Sequence, residues 1–375
     1  MQPGRTKTEM IMIEPDLPAA ELDRLLMPAA LALRAGELVA FPTETVYGLG
    51  ADALNPAAVD AIFAAKGRPG DNPLIVHVAH VEDIQRLTTT VPPLAVRLLE
   101  AFAPGPLTLI LPRSALVPDN VTAGLDTVAV RIPAHPVARR LIELAGVPVA
   151  APSANRSGRP SPTRAWHVAD DLDGLIPYII DGGACEFGLE STVLDLTGPV
   201  PQILRPGAIT AEAIARVTGQ ANDDRPATPA SASHTPRSPG MKYRHYAPKA
   251  RLLVFDQPDL TARASAIGQA LADLDQGPAR KIGLYLCQAT YDLLPAVYRR
   301  SSGPQGQKSW PLDIVVQVYA ENPAPRQASH HLFDALRSFD RDQVDLIIAE
   351  GLPANGAGVA YMNRLRKAAG GGEAV

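Results

Sequence analysis

Between about Gln220 and Gly240 the hydrophobic rhythm of this chain stops. Ala221 to Gly240 holds four prolines and three serines and shows no apolar period. That is the composition of a linker rather than of a packed element. A chain of 375 residues interrupted in this way has to fold as two bodies, each with its own core. The charge and apolar content fit: 46% of residues are hydrophobic and 20% charged, the balance of a soluble globular protein.

On both sides of the break, short apolar runs alternate with amphipathic stretches. Leu22, Leu25, Leu26, Ala29, Ala30 and Leu33 share one face of a helix from Pro18 to Ala35. Pro28 is expected to kink it and Gly36 to stop it. Leu38 to Phe41 reads as a strand ended by Pro42. Ala57 to Ala65 reads as a helix, Leu74 to Val78 as a strand, and Leu94, Leu98, Leu99 and Phe102 mark another helix. Leu107–Leu111, Val128–Arg131, Val147–Ala150, Tyr178–Ile180, Thr192–Leu196 and Gln202–Leu204 are further strands. After Ala250, strands at Arg251–Phe255 and Lys281–Cys287 flank a helix from Leu260 to Leu274. A helix over Ser329–Phe339 then precedes a strand at Val344–Ala349. The intermixing makes the class α/β or α+β, and the β-α-β-α-β order after the break is consistent with a smaller parallel-sheet domain. Strand order does not follow from this pattern. The tail Gly370 to Glu373 reads as frayed.

Several classes are excluded or disfavoured. A net charge of −4 supplies no global field for nucleic acid. Cys185 and Cys287 are too few and too far apart for zinc ligation or a disulfide framework, which fits a reducing compartment. No apolar run reaches membrane-spanning length and no signal-peptide pattern opens the chain, so a cytoplasmic location is expected. The sequons at Asn120 and Asn155 therefore read as accidental. There is no Walker loop, H-E-x-x-H, C-x-x-C or G-x-S-x-G, and nothing marks a covalent serine or cysteine nucleophile.

Chemistry concentrates in a few loops. Lys66-Gly67-Arg68-Pro69-Gly70-Asp71-Asn72 joins two cations, a carboxamide and two glycines, and His77 follows the apolar Leu74-Ile75-Val76. Arginine offers phosphate a planar fork, lysine a point charge, and glycine a close backbone approach. A solvated basic turn would explain isolated cations but not their density. Pro42-Thr43-Glu44-Thr45-Val46-Tyr47-Gly48 reads equally as a ligand loop after a strand or as a helix cap. Pro152 to Thr163 supplies hydroxyls, two arginines and Asn155 straight after a strand, although many Pro/Ser loops do nothing. Arg131 stands in an apolar strand, where a charge needs a partner. Glu190-Ser191-Thr192 puts hydroxyls at a strand start, and Arg205 lies at a strand end.

Taken in order, PTETVYGLG, KGRPGDNPLIVH, PGPLTLIL, VAVRIP, APSANRSGRPSPT, LESTV and ILRPG resemble the Sua5/YciO/YrdC family from about Leu38 to Gly207. Ser238 to Pro248 resembles the linker of the longer, Sua5-type members. The resemblance implies a twisted open α/β sheet with a concave basic cavity over residues 14–217. It further implies a linker over 218–249 and a Rossmann-like domain over 250–367. The implied activity is L-threonylcarbamoyladenylate synthesis from L-threonine, bicarbonate and ATP. Other proteins then transfer the threonylcarbamoyl group to the adenosine beside the anticodon of tRNA, and direct tRNA contact is an open possibility. By the same resemblance, Thr45, His77, Arg131 and Ser191, with the backbone at Ala151, are threonine-binding residues. Arg68, Asn72, Thr127, Ser153, Ser161 and Arg205 are ATP-binding residues. Lys66 and Arg68 are the catalytic candidates, and Tyr246 (alternatively Tyr243) is the linker residue that reaches over the nucleotide.

The chemistry this implies needs a held carboxylate, a carbamate attacking the α-phosphate, and stabilisation of pyrophosphate by Lys66, Arg68 and Arg205. Mg2+ is the expected companion of ATP, without a dedicated protein metal site. No strong general base is evident, so positioning and electrostatics carry the reaction. The linker reads as a gate on the site or as a plain tether. A non-enzymatic RNA-binding module is weakened by the negative net charge and by the 5% aromatic content. A carbamoyl-transfer relative with zinc fingers is excluded by the two cysteines.

Overall fold

The computed structural model describes residues 7–219, 237, 246–277, 280–299 and 312–370. Chain contacts divide it into two units, one of residues 1–157 and 161–243, the other of 158–160 and 244–375. Of the expected linker, residues 220–236 and 238–245, Tyr243 among them, lie outside the described residues, as do Gly371 to Glu373.

The first unit is built on one sheet. Its strands are β1 (Glu9–Met12), β2 (Val39–Phe41), β3 (Gly48–Asp52), β4 (Ile75–His77), β5 (Leu107–Pro112), β6 (Thr127–Arg131), β7 (Val149–Ala150), β8 (Tyr178–Asp181), β9 (Thr192–Asp195) and β10 (Gln202–Arg205). They lie in the order β1-β8-β2-β3-β7-β4-β6-β5-β9-β10. The pairing is mixed, parallel at β4–β6 and β5–β9 and antiparallel at β2–β3, β5–β6 and β9–β10. Two strands escaped the sequence reading. EMIM of β1 is too short to show a period, and GLGAD of β3 lacks the branched residues that favour strands. Glycine suits β3 sterically: a Cβ at Gly50 would lie 2.7 Å from both Phe41 and Val149.

Alternation divides the strand residues between two faces. Ala40, Leu49, Val76, Leu109, Val130 and Leu194 point to one core, where they meet helices such as Pro56–Lys66 and Pro93–Phe102. Val39, Phe41, Val149 and Ile180 point the other way, against helices Ala19–Arg34 and Pro136–Ala145. Helix Ala19–Arg34 runs unbroken across Pro28, which lies on its exposed side. Gly36 ends it at φ +84°. Beyond those two helices, the same face carries a separate small cluster of Ile75, Ile110, Ala129, Val193 and Leu204, to which no helix contributes. This is an apolar floor.

The second unit holds β11 (Arg251–Phe255), β12 (Arg280–Leu286), β13 (Leu312–Val318) and β14 (Leu346–Glu350) in the order β11-β14-β12-β13, all parallel. Helix Leu260–Asp275 covers one face through Ala264, Ile267 and Leu271. Helix Pro325–Arg341 covers the other, where Phe339 fits against Gly283 so closely that a Cβ would lie 2.8 Å from its ring. The doubly wound order agrees with the Rossmann-like expectation. Strand β13 was missed. Glu350, at the end of β14, is fully buried and saturated. It accepts from Arg263 Nη1 (2.9 Å), Thr290 Oγ1 (2.6 Å), Tyr319 OH (2.6 Å) and the Cys287 amide.

Candidate functional site

A row of polar side chains borders the apolar floor. The parallel register pairs Ile75 with Ala129 and, two residues on, His77 with Arg131, so both pairs share a face. Arg131 is buried, and its guanidinium is held by three acceptors. Nη2 donates to Glu44 Oε1 at 2.6 Å, Nη1 to Thr45 Oγ1 at 3.0 Å and Nε to the Gly105 carbonyl at 3.3 Å. Each Nη keeps a second N–H. The charge expected to need a partner has found one in Glu44.

Glu44 and Thr45 stand on a turn that Thr43 builds. The Thr43 hydroxyl accepts from the amides of Thr45 and Val46, donates to the Val46 carbonyl at 2.6 Å, and lies 2.9 Å from Thr45 Oγ1. Strand β3 follows, not a helix, so the helix-cap reading of this segment is wrong. Burial opposes ionisation of Glu44. The charge of Arg131 and its hydrogen bond, helped by nearby backbone amides, outweigh that and hold the carboxyl below the usual range.

His77 is fully buried, and its ring meets the edge of Phe41 at 6.4 Å. Its Nδ1 has no hydrogen-bond partner. Desolvation, reinforced by the Arg131 charge, pushes its pKa down to about 3. The imidazole is therefore neutral at physiological pH, with one nitrogen donating and the other accepting.

Ser191 and Arg205 close the far end. Ser191 Oγ lies 2.7 Å from Thr108 Oγ1, and Arg205 donates through Nη2 to Ser191 Oγ and through Nε to the Ser191 carbonyl, both at 3.0 Å. Thr108 pairs with Val193 across β5 and β9, which ties this corner to the floor. The neighbouring Glu190 accepts from Ser161 Oγ at 2.5 Å.

The remaining expected residues fall into three places. Lys66 is the last residue of its helix, just before Gly67 in the left-handed conformation. Its buried ammonium donates to the carbonyls of Ser153 and Asn155, each at 2.5 Å, while Ser153 Oγ donates to Asn155 Oδ1. Arg68 Nη2 donates to the carbonyls of Asn72 and Pro73, bending the 66–73 segment on itself. Asn72 is buried with Oδ1 unpartnered. The Ala151 amide is taken by the Ile75 carbonyl, and Thr127 begins β6, half-buried. Tyr246 belongs to the second unit, at φ +65°. There its ring stacks on Phe333 (5.1 Å between centroids, 27° between planes) with the Arg364 guanidinium 5.6 Å from its centre.

The structure thus links Thr45, His77, Arg131, Ser191 and Arg205 along one row, and Lys66 with Ser153 in the adjoining loop. Sequence reasoning missed Glu44, Thr108, Asn155 and Glu190 as members. All four lie inside motifs that had been singled out. The signal for Glu44 was the lone arginine in β6, whose partner had to be an acid. Among the described residues no group of three or more His, Cys, Asp or Glu side chains is placed to hold a metal ion.

Comparison with known proteins bears on the chain as a whole. The Sua5/YciO/YrdC family model, described as telomere recombination, matches residues 31–207. A model described as the threonylcarbamoyl-AMP synthase C-terminal domain matches 209–370. A threonylcarbamoyl-AMP synthase of Pyrococcus abyssi is 48% identical over 342 residues, covering 91% of this chain and 93% of that one. Its counterpart from Bacillus subtilis is 47% identical over 351 residues, covering 93% and 94%. Among solved structures, P. abyssi Sua5 complexed with L-threonine superposes with a TM-score of 0.83 at 43% identity, covering 97% of this chain and 98% of that one.

Proposed function

The chain belongs to the Sua5/YciO/YrdC family, and we infer that it is the synthase that makes threonylcarbamoyl-AMP for modification of tRNA. It consumes L-threonine, bicarbonate and ATP and releases pyrophosphate and water. The observation that supports this most directly is the polar row. It offers two separated ends on one apolar floor, as a reaction joining an amino acid to a nucleotide requires.

At one end, the two remaining N–H groups of Arg131 suit the carboxylate of threonine. His77 and Thr45 beside it offer neutral hydrogen bonds to the amine and hydroxyl. A neutral His77 does not repel the ammonium of the incoming amino acid. At the other end, Arg205, Arg68, Ser153 and Ser161 are assigned to the nucleotide, and Asn72 brings an unpartnered carbonyl oxygen. Lys66 is assigned to shaping the loop, since its ammonium holds two carbonyls there. The threonine nitrogen attacks carbon dioxide derived from bicarbonate, giving up a proton and forming the carbamate. A carbamate oxygen then attacks the α-phosphorus, and the bond to the bridging α–β oxygen breaks as pyrophosphate leaves. Positioning of the two substrates supplies the acceleration, and the arginines stabilise the charge that builds on pyrophosphate.

Mg2+ is proposed to arrive with ATP, held by its phosphates and by water. That mode needs few protein carboxylates. No described helix is long and apolar enough to cross a membrane. Because the product serves tRNA, we place the work in the cytoplasm, with separate transfer proteins accepting the product. Pyrophosphate release by the purified chain tests the activity. Release should require ATP, threonine and bicarbonate together, and turnover of ATP indifferent to threonine would overturn the assignment.

A further inference from the structure

We propose that Glu44 is a positioning residue for the amino-acid substrate, acting through Arg131. The proposal rests on the reading above, in which Arg131 holds the threonine carboxylate. A free arginine side chain at the end of a strand could point its fork in several directions. Here Glu44 Oε1, Thr45 Oγ1 and the Gly105 carbonyl each take one N–H. Two of the three acceptors come from the Thr43–Val46 turn, which the Thr43 hydroxyl locks internally. One N–H on each Nη is left, in a direction fixed by the turn. An arginine with its plane already set loses less freedom when it binds a carboxylate in two-point fashion.

Glu44 contributes more than a hydrogen bond. Glu44 and Arg131 are both almost completely shielded from water, at 3% and 4% exposure. The buried guanidinium therefore keeps a charged partner that holds its plane in place before substrate arrives. Oε2 of Glu44 has no side-chain hydrogen-bond partner, and Arg131 is the one charged group the carboxylate is bonded to, with its own and the Ala134 backbone amides adding a smaller contribution.

The test is direct binding of L-threonine and L-threoninamide to the full chain, measured by calorimetry for the wild type, Glu44→Gln and Arg131→Lys. Threoninamide keeps the ammonium and hydroxyl but lacks the carboxylate charge. In Glu44→Gln the preference for threonine over threoninamide should fall about tenfold, while the Kd for ATP stays within about threefold. Glu44→Asp should restore part of the preference. A purely structural role would weaken all three ligands together. A Glu44→Gln variant that melts like the wild type and keeps the full preference would overturn the proposal. If Arg131→Lys also keeps that preference, the assignment of Arg131 itself fails. If Arg131→Lys loses it while Glu44→Gln keeps it, only the positioning role fails. Should Glu44→Gln not fold, Thr43→Ala, which loosens the same turn, carries the test with the same expected loss of preference.

Discussion

Lys66 has a structural task in the folded chain beside the catalytic one that its sequence context suggests. Its charge, in a glycine-rich basic segment, looked like a phosphate ligand. In the folded chain it joins two carbonyls of the 153–155 turn. Lys66→Ala leaves both carbonyls without that donor, and burial makes each loss cost about 1–3 kcal/mol. Urea denaturation should show the variant about 2–4 kcal/mol less stable, and an unchanged midpoint would remove the structural role. His77 makes a prediction in pH. Its folded pKa of about 3 lies below its ordinary 6.5, so the unfolded chain takes up a proton first. Its contribution to stability is complete above pH 6.5 and is lost as pH falls toward 3. Glu44, also lowered, acts in the same direction but only below its ordinary 4.5. The urea midpoint should therefore start to fall near pH 6.5, and His77→Gln should reduce the slope from 6.5 down to about 3, leaving the share of His135, also lowered by burial, and the further loss that Glu44 supplies below 4.5. A wild type with no slope in that window would contradict a buried neutral histidine.

Among elements, the corner where the chain leaves β10 beside the start of β9 is tightly packed. A Cβ on Gly207 would lie 2.3 Å from the Thr192 amide nitrogen and 2.6 Å from the Ser191 carbonyl carbon. Those are backbone atoms, which cannot swing aside as a side-chain tip can. Gly207 is also two residues from Arg205, whose bonds to Ser191 cross the same corner. Gly207→Ala should lower the melting temperature and raise the KM for ATP about tenfold, since a shifted strand carries its arginine with it. A melting temperature and KM both equal to wild type would mean that the corner relaxes freely. The same scale shows what periodicity can detect. Helix Pro56–Lys66 was read almost to its ends, and in the fold Asn55 caps its start while Gly67 leaves at φ +60°. Strands β1 and β3 were not, because short segments with methionine, glycine and alanine carry no distinctive alternation. Proline-led helix Pro136–Ala145 was missed as well, although its apolar face packs firmly on the core.

At the scale of the whole molecule, the second unit is organised by one buried carboxylate. Glu350 is surrounded by Arg263, Thr290, Tyr319 and the Cys287 amide, so removing its charge strands a buried arginine. Glu350→Gln should destabilise this unit by about 3–5 kcal/mol, and calorimetry should show a transition moved to lower temperature. A trace identical to wild type would show that the network contributes nothing. No pattern in the sequence announced this glutamate, because it ends an ordinary apolar strand and its partners come from three separated segments. The alternation of apolar runs, the Pro/Ser break and the order of the motifs were fully local, and they determined the class, the two-body division and the family. Strand order, the pairing of Arg131 with Glu44, the neutrality of His77 and the position of Lys66 were decided only by the tertiary structure. Each depends on which segments distant in sequence become neighbours, and on how much water is removed when they do.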